Sequence, residues 1–184
     1  AVASVLYQIG WLQSRRGQLD QARAHLEEAL GIRSRVLGPD HPSTAVILNA
    51  AAVVVRDLGE VDQAEEWLRS ALSIYRSVFG DSHHDIALVL ANLGKTMQVK
   101  GNSTEAEKLL LEALEMNRRE LGMEHRHVAN NLRSLAELEM AKDNIEQAAE
   151  YAASAKQVFD ALGLDKEHPD RLELDELIQQ IENV

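Results

Sequence analysis

The chain has 184 residues and a formal net charge of −11, with 45% apolar residues, 4% aromatic residues and no cysteine. An acidic chain is a poor sequence-independent nucleic-acid binder, since that affinity rests on Lys and Arg against phosphate; anionic membrane surfaces are disfavoured for the same reason. Without cysteine there is neither disulfide nor thiolate chemistry, which fits a reducing, cytoplasmic setting, and no apolar run approaches the ~18 residues of a membrane span.

The first predicted helix carries Val2, Val5, Leu6, Ile9, Trp11 and Leu12 nearly all round, with Tyr7 between them. Such a helix expects neighbours on both sides. The expectation is that repeats precede it in a longer parent chain, or that it pairs with another copy. It stops at Gly17, where a turn favours positive φ. The second helix places Ala22, Leu26, Ala29 and Leu30 on one face of a 3.6-residue period and ends at Gly38. The next pair runs from Val46 to Arg56, breaks at Asp57-Leu58-Gly59, and resumes from about Asp62 to Phe79 before Gly80. The third pair turns at Gly101 and repeats the apolar face as Ala106, Leu110, Ala113 and Leu114. The fourth has Asp143-Asn144 where the others have glycine, and Asn is the expected occupant of the left-handed conformation there. A last helix segregates Leu174, Leu177, Ile178 and Ile181 from its polar residues, the pattern of a capping helix.

These features recur at a fixed step. Ala22, Ala64, Ala106 and Ala148 are 42 residues apart, as are Leu6, Leu48, Leu90 and Leu132, and Ala29, Ala71, Ala113 and Ala155. A period of this size signals stacked supersecondary units, which present long surfaces to other chains. The expected repeats cover about 1–43, 44–85, 86–127 and 128–169, with the capping helix at about 170–183.

The inter-repeat loop Leu37-Gly38-Pro39-Asp40-His41-Pro42, followed by Thr44-Ala45, returns as Phe79-Gly80-Asp81-Ser82-His83 and as Leu121-Gly122-Met123-Glu124-His125. With this loop the repeat resembles the tetratricopeptide repeat, in the 42-residue form found in kinesin light chains. The resemblance implies an all-α, right-handed α-α superhelix of four helix pairs plus a C-terminal capping helix. It implies a protein–protein interaction scaffold without enzymatic activity or cofactor, whose first helices line a concave groove for a peptide of a partner protein.

Carried onto this sequence, the groove positions include Tyr7, Trp11 and Arg15; Asn49, Val53 and Arg56; Leu88, Asn92, Lys95 and Gln98; and Asn130, Arg133 and Glu137. Kinesin light chains carry paired asparagines in this groove; Asn49 and Asn92 remain here, while Tyr7-Gln8 and Arg133-Ser134 stand at other pair positions. Arg15, Arg56, Lys95 and Arg133 supply one groove cation per repeat, spaced by 41, 39 and 38 residues. They would either attract an acidic peptide or pair with Asp57, Glu137 and their neighbours. Trp11 and Tyr7 read as aromatic anchors or as packing for a preceding repeat, and Trp67, on a second helix, as packing between repeats.

His41, His83, His125 and His168 occupy equivalent loops, and adjacent loops are taken to lie about one repeat apart, too far to share an ion. A structural role is therefore expected for the histidines and no metal site. Asn102-Ser103-Thr104 matches a glycosylation acceptor but reads as turn and cap chemistry. The reading is thus a peptide-binding scaffold with a protein partner and neither nucleic acid nor membrane. The alternative is a regulatory or self-association module of a larger switch protein, acting through the apolar N-terminal helix.

Overall fold

In the computed structural model, which describes residues 1–184, the chain forms nine helices: α1 (Val2–Arg15), α2 (Leu19–Leu37), α3 (Pro42–Asp57), α4 (Val61–Phe79), α5 (His84–Val99), α6 (Ser103–Leu121), α7 (Arg126–Ala141), α8 (Ile145–Ala161) and α9 (Pro169–Glu182). Two units are distinguished, Ala1–Asp81 and Ser82–Val184.

The starts of α3, α5, α7 and α9 share one device. The Nδ1 of His41 accepts the Ser43 N–H at 3.0 Å, and His83, His125 and His168 accept from Asp85, His127 and Asp170. A helix start leaves main-chain N–H groups without partners, so each imidazole takes the place of the usual Ser or Asp cap. Pro42 and Pro169 follow at the first helical position, where a missing N–H costs nothing. Most of the turns between helices need a left-handed residue, which glycine supplies at Gly17, Gly59 and Gly101. In the fourth pair the residue at φ 63° is Asp143. Asn144, expected to share that role, instead has φ −97° and donates from Nδ2 to Glu139 at 2.9 Å.

In unit 1, α1 packs on α2 and α3 on α4, with α2 against α3 and α1 beside α3. Its core joins Ala22, Leu26 and Ala29 of α2 to Ile47, Ala51 and Val54 of α3, all almost fully buried. Leu6, Tyr7 and Trp67 pack against this cluster, so Trp67 serves the interior as its sequence position suggests. In unit 2, α5 packs on α6, α7 on α8, and α6 on α7; α9 packs on α8 and also lies beside α7. Leu174 and Phe159 are fully buried there.

Small residues let the paired helices cross closely. Gly10 and Gly94 sit at such crossings, where a Cβ on Gly94 would lie 2.8 Å from Leu110 Cγ and 3.2 Å from the Ala106 carbonyl. The equivalent Ala52 and Ala136 are fully buried. At α1 the expected outer neighbour is not within unit 1: Val2, Val5, Ile9 and Leu12 are 62%, 54%, 37% and 49% exposed. The α3 equivalents of Val5, Ile9 and Leu12, which are Ile47, Ala51 and Val54, are covered by α2.

Candidate functional site: the faces of the first helices

In unit 1 the face is built by α1 and α3. Tyr7 is half-buried against the core, and that burial raises its phenol above the ordinary range. One turn on, Trp11 is 47% exposed. The Arg15 guanidinium lies 5.6 Å from its ring centroid, within reach of a cation–π contact. On α3, Asn49 and Val53 are half-buried. Arg56 donates from Nε and Nη2 to Asp57 Oδ1 at 3.0 and 2.8 Å, while its Nη1 is buried without a hydrogen-bond partner.

In unit 2 the face is built by α5, α7 and α9. Leu88 is exposed, and Asn92 and Gln98 are half-buried. The Lys95 Nζ lies 3.7 Å from Glu137, whose other oxygen is 3.6 Å from Arg133 Nε. Arg133, expected to face a ligand, is only 7% exposed because α9 lies beside α7 and Glu173 takes its Nη1. Asn130 is engaged likewise, donating from Nδ2 to Asp170 Oδ2 at 3.3 Å. Burial raises the Asp170 carboxyl, but its bonds from Arg126 and Asn130 and the Arg126 charge outweigh this and hold it below the ordinary range.

The four cations expected in a groove thus divide. Arg56, Lys95 and Arg133 have carboxylate partners inside the chain, and Arg15 has an aromatic one. Asp170 and Glu173 are the residues that groove positions alone do not find. The signal for them is His168-Pro169, which repeats His41-Pro42 and marks α9 as the first helix of a further half-pair.

The side chains able to approach one metal ion are His83, His84 and Asp85, whose ligand atoms lie within 4.8 Å of one another. The Nδ1 of His83 is committed to its cap, and the Asp85 carboxylate lies 3.5 Å from it and 3.4 Å from His84 Nε2.

The family model for the tetratricopeptide repeat matches residues 1–77, 47–119 and 85–161. The chain belongs to the tetratricopeptide-repeat family. No curated protein matches its sequence. Among solved structures it is similar to a Podosopora anserina protein described as a kinesin light chain with nearly identical TPR-like repeats, at 22% identity and a TM-score of 0.74, covering 98% of this chain and 85% of that one. BtubC (BKLC) from P. vanneervenii gives 20% identity and a TM-score of 0.69 over 99% of this chain and 80% of that one. The apo form of RapI gives 14% and 0.73 over 100% of this chain and 65% of that one. At these identities the likeness is one of fold. Tetratricopeptide repeats generally serve as protein–protein interaction scaffolds, and no helix of this one is long and apolar enough to cross a membrane.

Proposed function

We propose that the first-helix faces take an extended or helical peptide segment of a partner protein. The exposed Trp11–Arg15 pair carries this reading. In a chain with 4% aromatic residues, an indole left 47% exposed beside a cation offers the type of side chain that dominates binding hot spots. Asn49 and Val53 of α3 would supply polar register and apolar cover. The exposed Arg15 beside Trp11 would favour an acidic segment, since a guanidinium matches carboxylate geometry. In unit 2 the corresponding contacts would come from Leu88, Asn92, Lys95 and Gln98, with Asn130, Arg133 and Glu137 reached past α9. The domain reading of four repeats and a final helix, and a cytoplasmic setting consistent with the absence of cysteine, belong to this proposal.

The test is selection of peptides from a random-sequence display library on the intact chain, followed by affinities for Trp11→Ala and Arg15→Glu. At least a tenfold loss is expected for each. Selected peptides that bind both variants as well as the parent would overturn the reading.

A second reading, a regulatory or self-association module within a multidomain protein, rests on Val2, Val5, Ile9 and Leu12, spaced by three and four residues as in a helix–helix seam. Light scattering should then show a dimer that Val5→Glu with Ile9→Glu returns to monomer. A parent chain already monomeric at high concentration would remove it.

A further inference from the structure

Two clefts of the same construction lie on the side of the second helices, away from the faces described above. In unit 1 the C-terminal half of α2, the loop after it, the start of α3 and the C-terminal half of α4 line about 370 Å³. In unit 2 residues two periods further along enclose about 270 Å³. The floors are alike, Leu30, Leu48 and Ile74 in the first and Leu132 and Val158 in the second. The polar walls share a serine, Ser70 or Ser154, and a rim carboxylate, Asp40 or Glu124, and differ in the rest.

In the unit 1 cleft the hydroxyls of Thr44 and Ser70 use their hydrogens on the carbonyls of Gly38 and Glu66, both at 2.9 Å. Toward the cleft they therefore present lone pairs only. Asp40 stands on the rim, exposed and without an ion pair. No cation lines this cleft. In unit 2 the position of Ser34 is taken by Arg118 and that of Thr44 by Val128, so a positive charge already lines that cleft, together with Glu124.

We propose that the unit 1 cleft binds a lysine or arginine side chain of a basic segment on a partner protein, and that the unit 2 cleft does not. The aliphatic stem of such a residue lies on Leu30, Leu48 and Ile74, as long cationic side chains do on apolar surface. Its head reaches Asp40 and the oxygen acceptors of Thr44 and Ser70. The net charge of −11 draws a basic segment toward the chain at low salt.

The probe is an acetylated, amidated Ala-Ala-Arg-Ala-Ala peptide, followed on the ¹⁵N-labelled chain by amide shifts, beside versions with central lysine, norleucine or glutamate. Saturable shifts are expected at Ser34, Asp40, Thr44 and Ser70 with arginine and lysine only, and none around Arg118 and Val128. Asp40→Asn, at an exposed loop position, should weaken binding about fivefold, the upper range for one exposed ion pair. Ser34→Arg, which installs the unit 2 wall, should abolish it. Equal shifts with norleucine, equal shifts at both clefts, or unchanged affinity in Asp40→Asn would each overturn the proposal.

Discussion

An imidazole that accepts a main-chain hydrogen at a helix start must keep its Nδ1 lone pair and carry its own hydrogen on Nε2. His125→Ala should therefore cost about 0.5–2 kcal/mol in urea unfolding, and His125→Asn, another acceptor, should recover most of it. His127, which donates its main-chain N–H to His125, titrates differently. Burial first, then the charges of His125, Arg126 and His84, lower its value below 6.5, with Asp170 opposing. The unfolded chain takes up that proton at higher pH than the folded one does. The contribution is thus complete above about pH 6.5 and is lost as pH falls through the lower folded value. His127→Gln should flatten the fall in melting temperature between pH 7 and 5. An unchanged slope would assign it elsewhere. Gly94→Ala brings a Cβ against Leu110 and the Ala106 carbonyl. Overpacking of about 1–3 kcal/mol outweighs a helix-propensity gain of about 1 kcal/mol, so a net loss near 1 kcal/mol is expected by urea unfolding.

The helices themselves are legible from sequence, since Leu174, Leu177 and Ile181 form one stripe on α9 and all three are buried. What a stripe does not tell is which neighbours a helix has. As a cap on α8, α9 would leave Asn130 and Arg133 open; as the first helix of a half-pair it lies beside α7 and engages both. The polar ends of its side chains, Asp170 and Glu173, decide this, and periodicity of apolar residues is blind to them. Leu174→Ala should cost about 2–5 kcal/mol, read locally as faster amide exchange in α9 and in the N-terminal half of α7. Exchange changed in α9 alone would separate the two helices. At the opposite end the sequence shows an apolar α1, and the structure leaves that face open. The surplus of apolar residues is legible, but its occupant is not.

Over the whole chain, the constant 42-residue step is the most readable property, because one tight crossing imposes one small residue in every pair: Ala22, Ala64, Ala106 and Ala148 are all fully buried. The left-handed turns are readable for the same reason, save that Asp143 and not Asn144 takes the fourth. Groove chemistry is less readable, since whether Arg56 or Lys95 faces solvent or a carboxylate depends on side chains from separate elements. In a repeat architecture each pair is stabilised mainly by its nearest neighbours. Leu26→Ala, in the core of unit 1, should therefore lower amide protection across α1 to α3 and leave α7 to α9 nearly as before. Loss of protection along the full length would instead mark a single cooperative block.

If an acidic segment uses the α7 face as proposed, the carboxylates that α9 lays on α7 would act as a tethered rival for it. A group held on the same chain has an effective concentration in the millimolar range. A free acidic peptide with millimolar affinity would therefore gain little on α7, and only a ligand that tolerates Asp170 and Glu173 in place, or lifts α9 as it enters, would occupy that stretch. Selectivity on unit 2 would come from exclusion, set by a decoy built into the fold.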